Sequence, residues 1–282
     1  MSRPAFDELP RPFLKWAGGK RQLLTEIRRR LPRRMATYYE PFLGGGAVFF
    51  ALARDGAFER AVLADANREL VEAYRGVRDH LEAVLGLLEQ YPYEQDFYYE
   101  MRARDPYALD LPHRAARLIY LNRTGYNGLY RLNKKGEFNV PFGRHRNPKI
   151  RDEENLRAVS AALQGVDLRN GDFAEAVADA APGDAVYFDP PYVPISDTAY
   201  FTAYDGTTFT MEEQARLAEV MWSLDGRRVH ALLSNSESRE SRRLYRGLNV
   251  ERVLASRAIN SRADRRGPVG ELLVRTKPGR KA

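Results

Sequence analysis

The run Asp184-Ala185-Val186-Tyr187-Phe188-Asp189-Pro190-Pro191-Tyr192 opens as a short apolar strand and stops abruptly. Its first five residues are rich in β-branched and aromatic side chains, the composition of a buried strand. Neither proline can donate a ladder hydrogen bond, so the strand ends at Asp189. An acid, a rigid stub of carbonyls and an aromatic ring are thereby placed at the carboxyl end of a strand. In open α/β sheets that is where ligands bind. The Asp189 carboxylate and the Pro190 carbonyl are both acceptors, suited to gripping the two protons of an exocyclic amino group. Tyr192 offers a flat face on which a nucleobase can stack. A plain strand end, with a solvated Asp and a packed Tyr, is the alternative at this point.

Working back toward the amino end, Tyr38-Tyr39-Glu40-Pro41-Phe42-Leu43-Gly44-Gly45-Gly46 followed by the apolar segment Ala47–Ala53 reads as strand, glycine turn and helix. This is the opening step of a Rossmann-like unit. The spacing Phe42-x-Gly44-x-Gly46 removes Cβ atoms where a cofactor must touch backbone. A second strand, 60–64, ends in Asp65, about 20 residues after the turn and placed for a ribose diol. Earlier still, Phe13-Leu14-Lys15-Trp16-Ala17-Gly18-Gly19-Lys20 precedes a helical segment that runs to Leu31. Its glycines open backbone N–H groups at a positive helix end. Trp16 can lie against a purine ring, and Lys15 and Lys20 can meet anionic groups. Together and in this order the features favour a nucleoside cofactor.

From the N-cap candidate Asn67 the pattern becomes helical, with Leu70, Ala73, Tyr74, Val77, Leu81, Val84, Leu85 and Leu88 in register. Two further helices are expected over 93–104 and 113–122. The stretch 123–146 then mixes Arg and Lys with Tyr, Phe, Asn and Gly. It fits a β-hairpin loop that grips phosphates and reads base edges, and Arg123, Asn133, Asn139, Arg144 and His145 are expected at DNA. A solvated basic loop is the alternative, although such loops seldom carry so many rings.

After Asp152 a helix to Leu163 returns to sheet. Strand 166–170 leads to the turn Gly171-Asp172-Phe173 and a helix over 174–181. Asp172 and Phe173 stand at a strand end where the cofactor base can be touched. Beyond Tyr192 the polar-aromatic segment 193–208 reads as a flap. Thr210-x-x-Glu213 is a capping box for a helix to about Leu224. A strand over 229–235 and a closing pair over 248–255 and 271–276 finish the sheet, with a basic loop over 256–269. The cofactor features precede the helical, basic segment and the Asp-Pro-Pro-Tyr element follows it. One α/β domain, 1–65 and 152–282, is therefore expected to be split by an insert at 66–151.

The chain has 282 residues and a net charge of +7, with a pI near 9.5. Excess arginine suits phosphate contacts. The absence of cysteine excludes disulfides, thiolate metal sites and a Cys nucleophile. His80, His113, His145 and His230 show no ligand spacing, so no metal is expected. With no signal peptide or long apolar span visible, a cytoplasmic, nucleoid-associated protein without membrane contact is expected.

These segments resemble the DNA adenine-N6 methyltransferases of the Dam type. The resemblance rests on 13–20, on Glu40-Pro41-Phe42-x-Gly44-x-Gly46 and on Asp189-Pro190-Pro191-Tyr192. It extends through Leu121-Asn122-Arg123, Gly125-Tyr126-Asn127-Gly128-Leu129 and 136–144. It covers about residue 12 to Pro278 in the same order. It implies a Rossmann-like S-adenosylmethionine-dependent methyltransferase fold: a mixed α/β sheet with a reversed last strand. It also implies an inserted, mainly helical target-recognition domain carrying a β-hairpin. S-adenosyl-L-methionine is the implied cofactor, with Trp16, Lys20, Phe42, Gly44, Gly46, Asp65, Asp172, Phe173 and Asp189 around it. Double-stranded DNA is the implied partner of a monomer, with more than one copy able to occupy one DNA. Lys15, Tyr126, Asn127, Leu129, Arg131 and Pro141 fall where the family reads DNA, usually at GATC. Arg131 and Lys15 suit guanine, Leu129 and Pro141 a thymine methyl, and Tyr126 and Asn127 the gap left by a flipped base. The implied chemistry is direct methyl transfer to the N6 amino group of adenine by Asp189, Pro190 and Tyr192. N4-cytosine methylation, an inactive DNA-binding regulator and protein-glutamine methylation are the competing readings. His145 stands where the family commonly has tyrosine, and the 256–269 loop diverges.

Overall fold

The computed structural model describes residues 9–16, 18, 23–192, 209–255 and 269–277. After α1 (Leu24–Arg30) comes β1 (Met35–Glu40), then α2 (Ala47–Arg54) and β2 (Phe58–Asp65). Five helices follow: α3 (Arg68–Asp79), α4 (Leu81–Gln90), α5 (Gln95–Ala103), α6 (Leu111–Thr124) and α7 (Glu153–Leu163). The sheet resumes with β3 (Asp167–Asn170), the short α8 (Phe173–Ala176) and β4 (Ala185–Phe188). Then come α9 (Met211–Gly226), β5 (His230–Ser236), α10 (Arg239–Leu244), β6 (Asn249–Ala255) and β7 (Val269–Arg275).

The strands form one seven-stranded sheet in the order β3-β2-β1-β4-β5-β7-β6. β1 through β5 run parallel, and β7 lies antiparallel between β5 and β6. The expected mixed sheet with a reversed last strand is thus present. The last strand enters between two earlier ones rather than at an edge. The strand order reverses between β1 and β4, so the loops after those strands diverge and leave a crevice.

Each central strand has both faces buried, and period 2 sends alternate side chains to opposite cores. Tyr38, Leu63, Tyr187, Leu232 and Leu273 enter a large core that continues through α3, α4, α6 and α7. Tyr39, Val62, Val186, Phe188, Leu233 and Val274 enter a smaller one closed by α9. The larger core shows how the helical segment is held. Val84, Leu88, Tyr98, Met101, Ala115 and Ile119 share it with residues of the sheet.

The helical run expected from Asn67 to Leu88 is two helices. Asn67 does cap the first, accepting from the Leu70 N–H at 3.1 Å. His80, at φ −135° and ψ 37°, breaks it from α4. Both helices bury the same side, so apolar spacing alone passes over the break. The loop 123–146 holds antiparallel bridges Gly125–Phe142 and Leu132–Phe138 rather than a continuous hairpin ladder. Thr210 caps α9 as expected, at 3.2 Å from the Glu213 N–H. The flap 193–208, Lys20 and the loop 256–268 lie outside the described residues.

Candidate active site

Four neighbouring strands supply the crevice: Glu40 ends β1, Asp65 ends β2, Asp189 follows β4 and Ser234 lies within β5. Asp189 is half-buried and Pro190 buried. The Ser234 hydroxyl donates to Asp189 Oδ1 at 3.0 Å, and the Tyr187 hydroxyl lies 3.0 Å from Ser234 Oγ. Ser234 has one hydrogen and gives it to the carboxylate, so Tyr187 must be the donor in that pair. Both are fully buried, so an oriented chain of two hydroxyls ends on the acid.

The Pro-Pro stub is fixed in the same way. Gln214 Nε2 donates to the Pro191 carbonyl at 2.8 Å, and Asn235 Nδ2 holds Gln214 Oε1 at 3.0 Å. Tyr192 is half-buried, and its hydroxyl donates to Glu271 Oε2 at 2.8 Å. Burial first, then the nearby Asp189 and Glu271 charges, push the Tyr192 phenol far above its ordinary value. It therefore remains a neutral donor. The strand that brings Glu271 is β7, which explains why the reversed strand matters to the site.

The glycine turn is demanded by its surroundings. Gly44 has φ +49°, and a Cβ there would stand 3.0 Å from the Trp16 ring. Gly46 has φ +68°, and its Cβ would stand 2.8 Å from the Tyr74 hydroxyl. Only glycine meets both requirements cheaply. A glycine N-cap leaves α2 without a capping side chain. Glu40 compensates from β1: its Oε2 accepts from the Phe49 N–H at 3.1 Å and from the Tyr38 hydroxyl at 2.9 Å. Burial pushes the Glu40 carboxyl up to about 8, and Asp189 and Asp65 add to this. The Tyr38 and Phe49 hydrogen bonds oppose it and lose.

Asp65 accepts from the Gly44 N–H at 3.0 Å and from the Asn67 N–H at 2.9 Å, one on each oxygen. It thereby ties β2 to the glycine turn. Each carboxylate oxygen has a second lone pair, so the half-exposed Asp65 keeps acceptor capacity for a diol. On the other side of the turn, Phe42 stacks on Phe173 at 5.4 Å and meets Phe209 edge-on at 5.6 Å. Asp172 caps α8 through the Ala174 N–H at 2.8 Å and pairs with Arg216. The Arg216 guanidinium lies 4.4 Å over the Phe173 ring.

The DNA-reading candidates divide into two groups. Tyr126, Asn127, Leu129, Arg131, Asn139, Pro141, Arg144 and Lys15 are exposed. Asn127 at φ 54° and Gly128 at φ 64° form the sharp turn that projects the first of these. Arg123, by contrast, is half-buried and donates to the Phe13 carbonyl at 2.7 Å. Asn133 spends its side chain on its own turn, bonding the Lys135 and Glu137 N–H groups and Glu137 Oε2. The His145 ring lies 3.0 Å from the Gly125 carbonyl. These three shape the loop. No local motif in the sequence marks Ser234, Tyr187, Gln214 or Glu271 as site residues. The polar tail Ser234-Asn235-Ser236 after an apolar run was the one available signal.

Among the described residues no cluster could hold a metal, and no helix is long and apolar enough to cross a membrane. A family model for D12 class N6 adenine-specific DNA methyltransferases matches residues 16–259. The chain is 41% identical over 272 residues to a type II methyltransferase, M1.LlaDCHI, of Lactococcus lactis subsp. cremoris, covering 94% of each. It is 41% identical over 284 residues to the type II methyltransferase M.MjaIII of Methanocaldococcus jannaschii, covering 94% of this chain and 98% of that one. With the DNA adenine methylase of Escherichia coli K12 it shares 39% over 273 residues, 95% of this chain and 96% of the other.

Proposed function

Because the chain belongs to the D12 class N6 adenine-specific DNA methyltransferase family, we propose that it methylates the N6 amino group of an adenine flipped out of duplex DNA, within GATC. Methyltransferase membership implies S-adenosylmethionine as cofactor. The chain's residues fit that group. The turn at Gly44 and Gly46 has no room for a Cβ, and Asp65 is anchored there with acceptor capacity left for ribose hydroxyls. Trp16 and Phe42, both half-buried, supply apolar surface for a purine, with Phe173 stacked on Phe42. Bound there, the cofactor supplies an electrophilic methyl group on a sulfonium.

The observation that carries this reading is the fixed geometry after β4. Asp189 is oriented by Ser234, the proline stub by Gln214 and Tyr192 by Glu271. Tyr192 stacks on the extruded base. Asp189 and the Pro190 carbonyl accept hydrogen bonds from the two N6–H groups, which turns the nitrogen lone pair out of conjugation with the ring and frees it as a nucleophile. Holding the nucleophile in line supplies much of the acceleration. The carboxylate also stabilises positive charge developing on nitrogen. Tyr126 and Asn127 fill the gap in the stack, Lys15 and Arg131 read guanine, and Leu129 and Pro141 meet a thymine methyl. Asn139 and Arg144 contact the backbone. The segment 66–151 acts as the target-recognition domain between the two parts of the catalytic domain.

The test is to express the protein in a methylation-free host. The plasmid DNA is digested to nucleosides, and modified positions are mapped by sequencing. N6-methyladenine confined to GATC is expected. N4-methylcytosine, or unmodified DNA from a folded protein, would refute the reading, and N6-methyladenine in another motif would refute only the site.

A further inference from the structure

Between Tyr126 and Arg131 the loop alternates in exposure. Tyr126, Asn127, Leu129 and Arg131 face outward, whereas Gly128 is buried and Tyr130 half-buried. The two inward residues both touch the segment that carries Trp16. Gly128 packs on Lys15 so closely that a Cβ would lie 2.3 Å from that side chain's Cδ. The Tyr130 ring lies 5.0 Å from the Trp16 ring at 31°. Trp16 also meets the glycine turn, its Cδ1 3.0 Å from where a Gly44 Cβ would stand. One indole therefore touches both the cofactor turn and the DNA-reading loop.

Two anchors make this contact stiff. Asn122 accepts from the Lys15 N–H at 2.7 Å and donates to the Lys15 carbonyl at 2.8 Å and the Gly128 carbonyl at 3.0 Å. Its side chain is thus a clamp between the two segments. The Tyr130 hydroxyl donates to Glu69 Oε2 at 3.1 Å. Glu69 is held in turn by the buried Arg117 at 2.6 Å. Glu69 sits on α3, four residues after Asp65. Phe138, on the returning arm of the loop, closes on Tyr130 from another side at 5.7 Å. Tyr130 lies between two outward residues, Leu129 and Arg131, and itself contacts both Trp16 and Glu69.

We propose that Tyr130 is a positioning residue that couples cofactor binding to DNA recognition through Trp16. This rests on the reading of Trp16 and the glycine turn as the cofactor pocket. A cofactor that fixes Trp16 from the Gly44 side presets Tyr130, and with it the outward face of Leu129 and Arg131. By linkage, cognate DNA then raises cofactor affinity by the same factor as cofactor raises DNA affinity.

The experiment measures the Kd of S-adenosylhomocysteine with and without a duplex carrying the mapped methylation site. The Kd of that duplex is also measured with and without S-adenosylhomocysteine. Both are repeated for Tyr130→Leu and Tyr130→Phe. In the wild type both comparisons should give the same enhancement, about fivefold or more. In Tyr130→Leu it should fall to within about twofold of none, with each ligand alone still bound. Tyr130→Phe keeps the ring and drops the Glu69 bond, so its enhancement should be intermediate. A wild type that binds both ligands independently would overturn the proposal. So would a full enhancement in Tyr130→Leu, or in Tyr130→Phe where the leucine variant does not fold. Absence of S-adenosylhomocysteine binding to the wild type would overturn the cofactor reading as well. Where the wild type binds, an unchanged Kd in Trp16→Ala would take Trp16 out of the pocket and overturn the coupling alone.

Discussion

Glu40→Gln tests whether the carboxyl under the glycine turn is stored in its neutral form. In the folded chain Glu40 holds its proton up to about pH 8, against an ordinary value of 4.5. Burial is the main cause, with Asp189 and Asp65 adding to it. Between those two values the folded state binds a proton that the unfolded chain has released. Stability therefore falls as pH rises through that window, and the loss is complete above about pH 8. At about 1.4 kcal/mol per tenfold in proton affinity, the ceiling is about 5 kcal/mol. For a chain of this size each kcal/mol shifts Tm by about 2 °C or slightly less. Glutamine cannot ionise, yet its carbonyl can still accept from the Phe49 N–H and the Tyr38 hydroxyl. The assay is thermal unfolding of both proteins from pH 5 to pH 9. Every other titrating group is common to the two, so the quantity of interest is the difference in Tm. It should move in favour of Glu40→Gln by several degrees as pH rises, whatever its sign at pH 5. A difference that stays flat across the range, or moves the other way, would show that Glu40 is ionised in the folded protein.

Other outcomes follow from the same geometry. Ser234→Ala removes a hydroxyl hydrogen bond to a carboxylate, a contact worth about 1.5–3 kcal/mol. It should lower kcat about tenfold or more with little change in either KM, and Ser234→Thr should restore much of it. Equal losses in both variants, or a loss confined to KM, would count against an orienting role. Arg131 is exposed, and its guanidinium is aimed by the Asn139 carbonyl. Arg131→Ala should cost about 1–3 kcal/mol of discrimination at one base pair, seen as relaxed preference among singly substituted duplexes at matched salt. A uniform weakening on all duplexes would instead make it a phosphate contact.

Much of this architecture was legible in the chain because the signals were local. The apolar run ending in Asp189-Pro190-Pro191 had to be a strand end, and the glycines after Glu40 had to be a turn. The unbroken apolar runs 185–188 and 231–233 suit strands buried on both faces. What escaped was set by contacts distant in sequence. Nothing near Ser234 shows that β5 lies beside β4, so its hydroxyl could not be assigned to Asp189. Glu271 reaches Tyr192 only because β7 enters between β5 and β6, a placement that the closing pair of strands did not specify. Arg123 and Asn133 carry contacts that side-chain type does not reveal. Their side-chain types suit DNA, but one is drawn inward to the Phe13 carbonyl and the other is spent on its own turn. Glu40 looked like part of a strand, and its role as a substitute cap follows from Gly46 having no side chain. Tyr130 was one ring among many, until alternation along the folded loop turned it inward.

The central claim is that Asp189 aligns an extruded adenine amine, and the most direct measurement is single-turnover methyl transfer by Asp189→Ala beside its affinity for the cognate duplex. The account predicts that transfer falls by about a hundredfold or more while DNA affinity stays near that of the wild type. Turnover close to normal in that variant would contradict it.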